Sequence, residues 1–134
     1  MVINTSTNTV VTTIPVGDGP MELVALPDGN YVYVANAYSN NVSVINTSTN
    51  TVVATIPVGD CPHGIAALPN GNYVYVANGH SNDISVISTL TNTVVAIIPI
   101  GDGPAEAAVL PNGNYLYIMK TVDDTRVGRM VRLQ

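Results

Sequence analysis

The chain has 134 residues, is 46% hydrophobic and carries a formal net charge of −5. That length fits one ordinary domain, and the apolar content is ample for a core, which excludes a disordered chain. All four basic side chains (Lys120, Arg126, Arg129, Arg132) fall in the last fifteen residues, while residues 1–119 hold seven acids, so the body repels phosphate and no nucleic-acid partner is expected.

The apolar residues are Val, Ile, Leu, Ala and Tyr, with no Phe and no Trp. Branched side chains and Tyr fit a pleated sheet better than a helix interior. No apolar run approaches the roughly 20 residues that cross a bilayer as a helix. The longest, "VVAIIPI" (Val94–Ile100), is broken by Pro99. "MVINTSTNT" lacks the basic region and apolar stretch of a secretory signal, so neither a membrane span nor visible export is expected. Cys61 is the single cysteine, which excludes an internal disulfide and leaves the compartment open. A plain free thiol is the expectation there. A catalytic thiolate would need a basic neighbour, and His63 stands two residues on.

Taken in chain order, the first sixteen residues read as two strands around the turn "STN". "MELVAL" (Met21–Leu26) is the first strand of a complete unit. "PDGN" follows, with Gly29 where a tight hairpin needs a positive φ. "YVYVAN" (Tyr31–Asn36) alternates Tyr-Tyr-Ala with Val-Val-Asn, the period-two mark of a strand. "VSVINT" (Val42–Thr47) is the third strand and "TVVATIPV" (Thr51–Val58) the fourth, joined through Asn50, which tolerates the left-handed conformation.

The same text then returns. Tyr31, Tyr73 and Tyr115 are 42 residues apart, as are Pro20, Pro62 and Pro104, and "VINT" at Val2 recurs at Val44. A strict period near 40 with four strands per unit is the mark of propeller blades. The expected organisation is a half blade at 1–16, blades at 17–58 and 59–100, a half blade at 101–120, and a divergent basic tail at 121–134. The fold class is therefore all-β: four-stranded antiparallel blades, about three per chain. Propellers typically have four to eight blades, so three form only an arc. A closed six-bladed homodimer removes the open edges, and a piece of a longer ring is the rival reading. The tail segment "RVGRMVRL" (Arg126–Leu133) reads as a frayed end, a degenerate third strand or an amphipathic docking segment.

"YVAN" (at Tyr33 and Tyr75), with "NTVVATIPVG" and "GIAALPNG", resembles the YVTN-repeat β-propellers over residues 1 to about 119. The third copy departs, with "YIMK" (Tyr117–Lys120) in place of "YVAN". The resemblance implies a non-enzymatic binding or structural module at a cell surface, with other surface proteins or glycans as partners and no cofactor. The alternative is a propeller enzyme of the lactonase or quinoprotein type, or a fragment with no role of its own. The scarcity of His and Arg in the blades weighs toward the non-enzyme.

Between copies, differences gather at the head of the first strand ("MELV", "HGIA", "AEAA") and in the loop after the second ("AYSNN", "GHSND", "TVDDT"). Both belong on one face of a propeller, opposite the constant "PxGN" turns, and loops on a rigid scaffold are where binding sits. The expected binding face is Glu22, Tyr38, Asp60, His63, His80, Asp83, Asp102 and Glu106. The link aspartates Asp18, Asp60 and Asp102 could gather a hard cation, but turn capping accounts for them as well, and no metal ligand set is assigned. Ser81, His80 and Asp83 are too close in sequence to make a triad. "GDGP" (Gly17–Pro20) lacks the Lys of a phosphate loop. The sequons at Asn4, Asn41 and Asn46 are expected by accident in so Asn- and Thr-rich a chain.

Overall fold

The computed structural model describes residues 1–122 and 127–133, with side chains described as far as Lys120. Residues 123–126, which include most of the third variable loop and Arg126, lie outside the described residues, as does Gln134. Thirteen strands and no helix are found among the described residues. A hairpin of β1 (Val2–Asn4) and β2 (Thr9–Thr12) comes first. Blade I follows as β3 (Pro20–Ala25), β4 (Tyr31–Asn36), β5 (Asn41–Asn46) and β6 (Thr51–Pro57), antiparallel and in that order. Blade II repeats it as β7 (Pro62–Ala67), β8 (Tyr73–Asn78), β9 (Asp83–Ser88) and β10 (Thr93–Pro99). Blade III has three strands, β11 (Pro104–Val109), β12 (Leu116–Val122) and β13 (Val127–Leu133). The fold is thus an incomplete β-propeller.

The blades are joined by stacked faces. Tyr33, Ala35, Val42 and Val44 of blade I pack on Ile65, Val74, Val76 and Ile87 of blade II in one core. Ala77 and Ile84 of blade II pack on Leu116 and Ile118 of blade III in a second. Seven of the Val and Ile side chains here (Val42, Val44, Val74, Val76, Ile84, Ile87, Ile118) have no exposed surface, each contributing about 1.5–3 kcal/mol by burial. The inner strands β3, β7 and β11 pack side by side, while β6 and β10 at the outer edge barely meet. That fan is the geometry of blades around an axis.

Blade I lacks a complete neighbour on its other face. Leu23 there is 61% exposed, whereas Ile65, its counterpart one period on, is 4% exposed. Leu23, Val32, Val34 and Ile45 instead line a cleft of about 530 Å³ under the β1–β2 hairpin. This cleft is apolar because its wall is a blade-packing face.

Strand β13 takes the third-strand position against β12. Its register puts Arg132 opposite Tyr117, where blades I and II put Val44 opposite Tyr33 and Val86 opposite Tyr75. The tail therefore extends the sheet, which is its strand reading.

Candidate functional site

Two sets of turns hold the two ends of the blades. At one end, Thr47 bonds Asn30 and Gly29 by its N–H and hydroxyl, and Thr89 does the same with Asn72 and Gly71. These are the constant turns. At the other end each inter-blade link is bonded to the loop after the second strand. Ala37 N and Tyr38 N donate to the carbonyls of Gly19 and Asp18, and Gly79 N and His80 N donate to those of Cys61 and Asp60. Asp18 N and Asp60 N in turn donate to Ser39 Oγ (2.8 Å) and Ser81 Oγ (2.7 Å). Links and variable loops thus share one face.

Beneath each link lies an amide that periodicity did not single out. Asn36 and Asn78 are fully buried at the ends of β4 and β8. Asn36 Nδ2 donates to Asn41 Oδ1 and Ser43 Oγ, and Asn78 Nδ2 to Asp83 Oδ1 and Ser85 Oγ, all at 2.8–2.9 Å. A Cβ on Gly17 or Gly59 would fall 2.8 Å from the amide carbon below it. Glycine is required there for close approach, so the pairs Gly17–Asn36 and Gly59–Asn78 are a signal in the sequence. In blade III the pair becomes Gly101 and Lys120, whose Nζ donates to Ile100 O at 2.7 Å.

The inner strands carry the site's second layer. The β3–β4, β7–β8 and β11–β12 ladders each slip at their first residues, between Pro20 and Glu22, Pro62 and Ile65, and Pro104 and Glu106. Bulges of this kind re-aim side chains and recur beside active sites. Here they lie at Met21, at His63 and Gly64, and at Ala105. Neighbouring bulges touch, since a Cβ on Gly64 would meet Glu106 Cα at 2.6 Å and Ala105 O at 2.8 Å. Glu22 and Glu106 hold Gly64's place in the adjoining units, on the inner strands either side of β7.

The expected face residues divide by environment. Glu22, His63 and Glu106 are half-buried on the inner strands, and Glu106 Oε1 accepts from Ala107 N at 3.3 Å. His63 Nδ1 is buried with no hydrogen-bond partner. Asp60 and Asp102 are exposed in links, and Tyr38 (80% exposed) and His80 lie on the loops. Asp83 is a scaffold acceptor, taking bonds from Asn78 Nδ2 and, at 3.3 Å, from Ser81 Oγ. Ser81 therefore turns to Asp83 and to the Asp60 N–H, leaving no triad with His80. Among the described residues no three His, Cys, Asp or Glu side chains gather as a metal ligand set. Cys61 sits at φ 55° where the first unit has Gly19, its N–H tied to Asn40 Oδ1 at 2.9 Å.

A family profile described as "Lactonase, 7-bladed beta-propeller" matches residues 4–94. The chain belongs to this seven-bladed propeller lactonase family. None of the curated proteins compared matches it. Among solved structures, hydrazine synthase of Kuenenia stuttgartiensis superposes with a TM-score of 0.79 at 23% identity, over 89% of this chain and 34% of that one. A protein of unknown function from Desulfotomaculum acetoxidans gives 0.77 at 19% identity, over 96% and 46%. A candidate 6-phosphogluconolactonase of Bacteroides uniformis gives 0.67 at 20% identity, over 89% and 41%. These likenesses show the fold, and the chain spans less than half the length of each.

The lactonase-family match corrects the expectation of a non-enzyme. Scarcity of Arg and His in the blades was a poor guide, because opening a lactone ring needs a general base and a polarised carbonyl rather than a cluster of cations.

Proposed function

We propose that this chain forms part of the catalytic ring of a lactone hydrolase, with His63 as general base at the inner-strand bulges. The observation that carries the reading is the lactonase profile match over residues 4–94, from the end of β1 to the start of β10. The fold likeness to a structure described as a candidate 6-phosphogluconolactonase is in keeping with it. In the reaction, water attacks the lactone carbonyl and gives its proton to the imidazole of His63. The ring C–O bond then breaks, and that proton passes to the departing oxygen to yield the hydroxy acid. Titration of released acid on a panel of γ- and δ-lactones tests this. His63→Gln is expected to lower kcat by about 10²–10⁴-fold, the usual contribution of a positioned base, with an unchanged circular dichroism spectrum. A panel with no turnover above the spontaneous rate defeats the proposal.

Within the family we place the chain with the YVTN-type repeats, on the strength of "YVAN" at Tyr33 and Tyr75, and expect a cell-surface location. Fractionation of the native cells is the test, and recovery in the cytosol alone rejects it.

A further inference from the structure

We propose that the cleft beside blade I is the seat of a second copy of this chain, whose β11–β12 hairpin completes the sheet begun by β1 and β2. The two ends of the arc are the two halves of one interface. Inside the chain, Tyr33 and Ala35 on one side of blade I lie against Val74 and Val76 of blade II. The receiving half is open at blade I, where Leu23 lines the cleft and is 61% exposed. The inserting half is open at blade III. Met119 stands one period after Ala77 and two after Ala35, both fully buried, yet it is 43% exposed.

The match extends to strand pairing and to a side-chain clasp. Val2, Ile3 and Asn4 repeat Val44, Ile45 and Asn46, which pair with Tyr33, Val32 and Tyr31. In blade III the residues equivalent to those partners are Tyr117, Leu116 and Tyr115. Among the described residues β1 pairs with β2 alone, so its other edge is a template for a strand. Thr47 and Thr89 each clasp a constant turn, their hydroxyls donating to Gly29 O at 2.6 Å and Gly71 O at 2.5 Å. Thr5 holds that place on the β1–β2 hairpin, and it is exposed. Its matching acceptor is Gly113, whose φ of 75° repeats the 77° and 76° of Gly29 and Gly71. Blades I and II separate the two within one chain. A second copy in head-to-tail contact joins them, and the reciprocal contact closes two chains into a ring of six blades, within the usual four to eight.

Strand β13 stands in the way. It pairs with all seven residues of β12, Leu116–Val122, where β1 offers three. Docking therefore requires β13 to leave, and the tail is a tethered competitor for the edge that the second copy uses.

The test is light scattering of the full-length protein with and without M130P and V131P together. Adjacent N–H groups of a strand point to opposite sides, so one of the two prolines removes a bond to β12. This variant is expected to move from one chain to two, its dissociation constant lowered tenfold or more. Adding Leu23→Glu, at a side chain exposed in the single copy, is expected to abolish the pair. Adding Thr5→Val is expected to raise the dissociation constant about thirtyfold, the worth of two hydrogen bonds, one at each contact. Asn4→Cys with Tyr115→Cys, in a Cys61→Gly chain, is expected to give an interchain disulfide that neither cysteine forms alone, since directly paired residues lie within bridging distance. It is tried with the parent tail and with the prolines, so that a misfolded tail variant does not decide the matter. A single-chain mass for a folded proline variant, growth beyond two chains, or association indifferent to Leu23→Glu and Thr5→Val overturns the proposal. So does the absence of the cross-link from both backgrounds. None of these readouts depends on lactone hydrolysis.

Discussion

Gly59→Ala separates two reasons for a glycine within one repeat. At Gly59 the backbone is ordinary, but the added methyl would strike Ser81 Oγ and approach Asn78 Cγ and Nδ2 at 2.8 Å. Asn78 has no exposed surface and cannot yield without releasing its bonds to Asp83 and Ser85. Two lost hydrogen bonds at about 1 kcal/mol each, with a buried amide left short of partners, come to about 3 kcal/mol. The smaller conformational entropy of an unfolded Ala returns about 0.5–1 kcal/mol, for a net loss of about 2–3. Gly101→Ala faces the opposite situation: φ is +75°, but the nearest atom to the new Cβ is Lys120 Nζ at 3.7 Å. Its cost is backbone strain alone, about 1–2 kcal/mol. Urea unfolding should therefore rank Gly59→Ala as the more damaging, with its midpoint lowered by about 1 M or more for a slope of about 2 kcal/mol/M. In an Asn78→Ala background the added cost of Gly59→Ala should fall below about 1 kcal/mol, since the clash has lost its object. A Gly59→Ala protein within about 0.5 kcal/mol of the parent, or one more stable than Gly101→Ala, refutes the reasoning.

Two other outcomes follow from the packing. Burial, and secondarily the charge of Tyr31, pushes the Tyr33 phenol up to about 12. Folded protein then holds that proton more tightly than the unfolded chain, so this stability is intact below pH 10 and is lost as pH rises through about 12. Tyr33→Phe should flatten the alkaline limb of the stability curve, at the cost of the hydroxyl's bond to Asn92 Oδ1, and an unchanged slope would count against the assignment. Ending the chain at Val122 should increase self-association in light scattering. It clears the third-strand position that β13 fills, the place that the matching strand β1 of a second copy would take. A full-length chain that is already a complete dimer, unchanged by the truncation, contradicts that competition.

The repeat made most of the fold legible. Tyr31–Asn36 is a strand as read, and the strands on either side shift by one residue at their ends, because alternation over a 42-residue period leaves little freedom. The stacking of one blade's Tyr-Tyr-Ala side on the next blade's Val-Val-Asn side also follows from that alternation. The bulges were not legible. Nothing in "MELV" or "HGIA" marks the slip in register at Met21 or at His63 and Gly64. The buried asparagines escaped for a related reason, since a polar residue ending a strand looks exposed until the glycine crossing above it is placed. Strand β13 keeps none of the "VSVINT" wording and forms by main-chain pairing along an open edge, which composition does not register. The expectation of a non-enzyme rested on a count of charged residues, and the lactonase-family match overturns it.

The loops after the second strands are fastened at their bases by main-chain bonds, Ala37 to Gly19 and Gly79 to Cys61, that do not depend on which side chain comes next. Tyr38 and His80 occupy equivalent positions directly beyond those fastenings. Substituents there can be exchanged like tool heads on a common shank: a duplicated unit can acquire a new contact while its neighbour keeps the old one, and the hinge of sheet and link beneath never has to refold.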